Sequence, residues 1–195
     1  MGKNRLEAFS DGVIAIIITI MVLDLHVPHS TSLSELHALL PVFLCYVLSF
    51  VYVGIYWNNH HHFYHVVRQV DGRVLWANLH LLFWLSLLPF VTGWMGENHM
   101  AALPVALYGV VLLMSALAWY VMQRTLLCVP GNREVLSQAL GADRKGKLSP
   151  LFYLAGIVLS FYNSWLGASV YAVMAVVWLV PDRRMEKAVK HQQGG

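Results

Sequence analysis

Apolar residues run through this chain in long blocks, without the strict alternation of strands or the single stripe of a soluble helix. Residues 36–58, 74–94 and 102–122 each approach the roughly 20 mostly apolar residues that a helix needs to cross a bilayer. Three spans are predicted there. A further block, residues 148–180, carries no charge at all; it is too long for one straight crossing and short for two generous ones. Lys145 and Lys147 precede it and Arg183 and Arg184 follow it, so both of its ends belong on the cytoplasmic side and the number of crossings is even. Asn163, Ser164 and Gly167 mark a turn between two short spans, 148–162 and 165–180. Pro150 suits the first turn of the earlier one.

The first block differs from the rest. Its pure apolar run covers only residues 13–23, and it reaches crossing length, as a span over 5–26, only by taking in Glu7, Asp11 and Asp24. Acidic residues within the segment and the lack of a small-residue cleavage site after it argue against a signal peptide. The expectation is an all-α, six-transmembrane-helix protein forming a single domain over residues 1–195, with Gln192–Gly195 a loose tail or an expression remnant.

Charge placement tests the first four spans independently, because their connecting loops are placed from hydropathy alone. All 13 Lys and Arg fall at the chain start, between spans two and three, between four and five, or in the tail, whereas the opposite loops carry Asp24, Glu35 and Glu97 and no basic residue. Both termini are therefore expected to be cytoplasmic. With 58% hydrophobic and 12% charged residues there is too little polar surface to coat a soluble globule, and the bilayer is the expected solvent. The net charge of +3 follows from loop sidedness, and no nucleic-acid-binding motif is present. Cys45 and Cys128 are far apart, lack CxxC spacing and read as structural thiols.

Polar residues inside the spans are the candidate chemistry. A lone carboxylate carried towards the bilayer centre costs roughly 3 kcal/mol, so Asp11 either accepts hydrogen bonds from neighbouring helices or caps the first helix with Ser10 and Gly12. Beyond it, Gly12, Ile16, Thr19 and Leu23 share one helical face. Thr19 is the only hydroxyl in that stretch, and its plainest use is a bond to its own i−4 carbonyl. Asn59, His60, His61 and His62 end the second span, and Asn78 and His80 lie in the third. Consecutive histidines on a helix cannot share one ion; His61 and His65 could supply two ligands, but no third is evident, and no metal is expected. His80 has no partner at matching depth for haem. Neither a nucleophile–base pair nor a phosphate loop appears, so the chain does not read as an enzyme. Pro41 and Pro89 fall within spans two and three and are expected to kink them. The tryptophans read mostly as packing or interfacial residues.

The order Arg5-x-x-x-Phe9-Ser10-Asp11, followed by a helix containing Ile and Thr, resembles the opening motif of the transmembrane protein 175 family, the endosomal and lysosomal potassium channels, in a bacterial form. Similarity continues through GIYWNNHH from Gly54 and SLLPF from Ser86, covering at least the first three helices. The resemblance implies a homotetramer in a bacterial plasma membrane, with helix one lining a central pore that passes potassium in preference to sodium. It places the hydrophobic constriction at Ile16, the pore threonine at Thr19 and a further apolar ring at Leu23. The family lacks the TVGYG carbonyl filter, as does this chain. No cofactor is implied; K+ is the permeant ion, and the partners are the lipid bilayer and further copies of the chain.

On that reading Ile16 forms a ring that excludes water when closed. Thr19 offers oxygen to a partly dehydrated cation, and Asp24 and Glu97 concentrate cations outside. Arg5, Phe9, Ser10 and Asp11, braced by Trp57, Asn59, His60 and Asn78, are expected to hold the helix rotation without touching the ion. The alternative is a proton- or cation-coupled secondary transporter, with Asp11 carrying the proton. Broken helices and a buried basic residue for an anionic substrate, common in such carriers, are absent from the pattern.

Overall fold

The computed structural model describes residues 2–28, 31–140 and 144–180. Every regular element among them is helical: α1 (Lys3–Leu23), α2 (Leu33–Ala38), α3 (Leu40–Val66), α4 (Gly72–Ser86), α5 (Leu88–Glu97), α6 (Ala102–Leu127), α7 (Arg133–Leu140), α8 (Arg144–Tyr162) and α9 (Ser164–Leu179). The long ones form an all-α bundle. The loose tail and the flanking pair Arg183–Arg184 lie outside the described residues.

Helices α4 and α5 are one path interrupted at Leu87. Pro89 sits in the first turn of α5, and its missing amide cannot continue the ladder back into α4. Treated as one path, residues 72–97 join α1, α3 and α6 as the four segments, among the described residues, long and apolar enough to cross a membrane. Pro41 sits at the opening of α3, where it ends the short α2 instead of kinking a longer helix. Pro150 departs from expectation too: α8 begins upstream of it and carries it inside. Lys145, drawn into that added turn, donates from Nζ to Val177 O at 3.1 Å and Val180 O at 3.0 Å, meeting the free carbonyls at the end of α9.

Two more boundaries differ from the hydropathy windows. Helix α1 stops at Leu23 with Asp24 as its C-cap, while α3 continues two turns past Asn58 through the histidines to Val66. Local chemistry sets the other starts. Asp71 Oδ1 accepts from the amides of Arg73 and Val74, both at 3.0 Å, and Asn163 Oδ1 accepts from Trp165 N at 2.9 Å, so the α8–α9 turn is a side-chain-capped helix start.

Helix α6 is the central post, packed against α4, α5, α8 and α9. The Tyr171 ring of α9 lies against Gly109 of α6 and Gly156 of α8, an approach that leaves no room for a side chain at either glycine. A Cβ at Gly167 would lie 2.7 Å from Gly156 O and 2.8 Å from Ser160 Cβ. Gly167→Val is therefore expected to destabilise the bundle by about 1–3 kcal/mol through overpacking, read as a lowered thermal midpoint in detergent; an unchanged midpoint would remove this close contact from the account.

At one end of the bundle Asn132 is fully buried and ties two connections together. Its Oδ1 accepts from Arg68 N at 2.9 Å and Gln69 N at 3.2 Å, and its Nδ2 donates to Gln69 O at 2.8 Å. The α3–α4 connection is thus held against the α6–α7 connection at the end that carries the basic loops.

Candidate functional site

Helix α1 has two unlike faces. Leu6, Ser10, Ile14, Ile17 and Met21 are buried, and the helix packs on α3, α4 and α5. Residues two apart on a helix point in nearly opposite directions. Gly12, Ile16, Thr19 and Leu23 accordingly lie on the exposed side. Ile16 is 59% exposed and Leu23 76%. Thr19 Oγ1 donates to Ala15 O at 2.9 Å, so its proton is spent on the backbone while its lone pairs remain free to accept.

The packed face is held to α3 by polar contacts at four-residue steps. Lys3 Nζ donates to Val67 O at 3.0 Å and His65 O at 3.3 Å, where the end of α3 leaves carbonyls free and carries partial negative charge. Glu7 Oε1 lies 3.3 Å from His61 Nδ1. Asp11 Oδ1 accepts from Trp57 Nε1 at 3.1 Å. Moving one turn along α1 moves one turn back along α3, so the two antiparallel helices stay in step through all three contacts. The His61–Glu7 pair is partly open to solvent, which screens it, and its value is mainly geometric.

A second chain of bonds is buried. Ser10 Oγ donates to Leu6 O at 2.9 Å and accepts from Asn78 Nδ2 at 2.9 Å. Asn78 Oδ1, left as the acceptor, pairs with His60 Nε2 at 2.9 Å. The directions are fixed in sequence: His60 must carry its proton on Nε2, and Nδ1 is left bare, buried and without a partner. Helices α3, α4 and α1 are joined in that order through side chains of which Ser10, His60 and Asn78 are each at most 2% exposed.

The expected braces are distributed unevenly over these contacts. Trp57 reaches Asp11, whereas Asn78 reaches Ser10 and His60 reaches Asn78; Asn59 bonds back to Ile55 O at 2.9 Å on its own helix, and Arg5 and Phe9 are exposed. Sequence reasoning missed Lys3, Glu7 and His61 as braces. The signal was present: Glu7 and Asp11 share the i, i+4 spacing of Trp57 and His61. His80 is exposed and accepts from Trp84 Nε1 at 3.0 Å. Among the described residues no three His, Cys, Asp or Glu side chains gather as a metal site. At the far end of α1, Leu23, Asp24, His26 and Glu97 line one cavity, which joins two of the acidic residues of that end.

Residues 5–89 match the family described as the endosomal/lysosomal potassium channel TMEM175. A protein named a potassium channel from Chryseobacterium sp. (strain P1-3) is 50% identical over 190 residues, covering 97% of this chain and 99% of that protein. This chain belongs to the TMEM175 family. Another protein named a potassium channel, from Streptomyces collinus, is 38% identical over 193 residues, covering 90% of this TMEM175 chain and 91% of that protein. The crystal structure of a lysosomal potassium-selective channel TMEM175 homolog from Chamaesiphon minutus superposes with a TM-score of 0.79 at 29% identity, covering 91% of this chain and 96% of that one. The family is one of ion channels, not enzymes. Its matched segment ends at Pro89, so every α1–α3–α4 contact described above except that of Lys3 lies within the part of TMEM175 that the family defines.

Proposed function

We propose that this TMEM175 protein is a potassium channel whose pore is lined by the exposed face of α1 from four copies of the chain. One helix face cannot enclose a conduit, so further copies are needed to close it. The observation that carries this reading is the contrast between exposed faces. Those of α3, α5 and α8 present Phe43, Phe50, Phe90, Phe152 and Phe161, as suits lipid. From Gly12 to Leu23 the exposed face of α1 has no aromatic residue and includes Gly12, Ala15 and Thr19, small enough for helices to meet around an axis.

In that arrangement Ile16 and Leu23 form apolar rings on either side of Thr19. The Thr19 hydroxyl, its proton held by Ala15 O, presents only lone pairs to the axis and can replace part of the hydration shell of a cation. The ladder to α3 and the Ser10–Asn78–His60 chain fix the rotation of α1, and with it the direction of these side chains. The basic end, with Lys3, Arg68 and the Asn132 tie, is assigned to the cytoplasm; the cavity with Asp24 and Glu97 is then the outer mouth, where acidic side chains raise local cation concentration.

Reconstituted liposomes test the function directly: potassium flux exceeding sodium flux is expected, and absence of flux from well-folded protein would overturn it. Thr19→Ala is expected to lower the potassium-to-sodium permeability ratio by about fivefold, the equivalent of a lost acceptor worth roughly 1 kcal/mol. Reversal potentials in mixed salt measure it, and an unchanged ratio would remove Thr19 from the ion path.

A further inference from the structure

The exposed stripe of α1 does not stop at Gly12. Stepped back by the same alternation of four and three residues that separates Leu23, Thr19, Ile16 and Gly12, it passes through Phe9 and ends at Arg5, both exposed. At 100° per residue all six positions fall within an arc of about 80°. Alternating steps of four and three are the seam of helices wound around one axis. A face that meets other copies at Ile16 therefore carries Arg5 to the same axis, about 16 Å nearer the end with the basic loops.

Nothing within the subunit accounts for a guanidinium at that place. Arg5 lies in the first turn of α1, where the helix dipole disfavours a positive charge. Lys3 shares that turn, but its ammonium meets the free carbonyls at the end of α3, at 3.0 and 3.3 Å. Among the described residues no ion pair or side-chain hydrogen bond engages Arg5. Orientation in the bilayer does not require it either, since Arg68, Arg73, Arg124, Lys145 and Lys147 already mark the same side.

We propose that Arg5, repeated around the axis, forms a positively charged ring at the inner mouth that favours inward over outward potassium current and turns back divalent cations arriving from the cytoplasm. The inference rests on the four-copy pore proposed above. A fixed positive potential at a mouth lowers the local concentration of a monovalent cation by some factor. It lowers that of a divalent cation by the square of that factor, because the electrostatic energy doubles with the charge. Outward current draws on this depleted layer. Inward current draws on the other mouth, where Asp24 and Glu97 act in the opposite sense, so the two ends reinforce one another. The ring does not choose between potassium and sodium: both carry one charge, and Thr19 lies about 21 Å further along the helix, about two screening lengths away in 0.1 M salt.

Currents of the full chain in excised inside-out patches, where the cytoplasmic face is the bathed one, test the ring. Wild-type current in symmetric potassium chloride is expected to be larger inward than outward. Arg5→Gln should raise the outward limb about threefold in about 0.1 M salt, and the gain should vanish in about 1 M salt, where the screening length falls to about 3 Å. Cytoplasmic magnesium should inhibit Arg5→Gln at about tenfold lower concentration than wild type, the square of the monovalent factor. Arg5→Lys should behave like wild type, and the potassium-to-sodium ratio should be the same in all three. If Arg5→Gln does not reach the membrane, the wild type decides: rectification that fails to weaken as symmetric salt rises from about 0.1 to about 1 M overturns the ring. Outward current unchanged in Arg5→Gln, or a gain that survives high salt, would overturn it too while leaving the α1 pore standing. No effect of Ile16→Asn in the same patches would instead remove the pore, and the ring with it.

Discussion

Ile16→Asn is expected to raise potassium current about tenfold, equivalent to lowering the barrier at the constriction by roughly 1.4 kcal/mol. The side chain is 59% exposed on the free face of α1, so the substitution changes what that face presents without opening a hole in the subunit core. In the proposed four-chain pore, four isoleucines would make a ring narrow and apolar enough to expel water, whereas four carboxamides would hold it. Single-channel recording separates a larger unitary conductance from a higher open probability, and either outcome fits a wetted gate. Unchanged current from well-folded protein would place the conduction path elsewhere. Folding should be nearly unaffected, because Ile16 lies outside the buried stripe formed by Leu6, Ser10, Ile14, Ile17 and Met21.

The largest stability effect belongs to the buried chain beneath that face. Asn78→Leu keeps the branched shape and the number of heavy atoms but deprives His60 Nε2 of its acceptor, and His60 Nδ1 already has no partner, so both ring nitrogens become buried and unpaired. An unsatisfied buried polar group costs about 1–3 kcal/mol, and the lost bond to Ser10 adds to it. A fall in thermal midpoint of several degrees is expected. The double variant His60→Phe with Asn78→Leu should recover much of the loss, because replacing both partners by apolar groups removes the orphaned donor along with its acceptor. If the two losses simply add, the chain of bonds is not what holds α1, α3 and α4 together. Current in the single variant should fall as well, since α1 would no longer be held in one rotation.

Much of the architecture is legible in the sequence because bilayer crossing is a problem of length and polarity. A helix must satisfy its own backbone in lipid, so long apolar blocks and punctuating prolines foretell where helices run. Pro89 interrupts the third path where its position predicts, and Asn163 opens α9 as its place in the uncharged block suggests. Boundaries near polar residues are less legible. Hydropathy ends the second span near Asn58, yet α3 runs on to Val66, because His60, His61 and the carbonyls of His65 and Val67 find partners on α1 and α4 that a hydropathy window over α3 alone cannot register.

The candidate site divides in the same way. Periodicity alone puts Gly12, Ile16, Thr19 and Leu23 on one stripe of the first helix, and the polar run from Glu7 to Asp11 marks that helix as more than an anchor. Only the tertiary structure decides that the stripe is the uncovered face, that Ser10 and not Asp11 is the residue joined to Asn78 and His60, and that Asn59 turns back to its own helix. The physical reason is that periodicity fixes angles around one helix axis, whereas partners depend on the rotation and register of two. Here Lys3, Glu7 and Asp11 set that register against α3, one turn at a time.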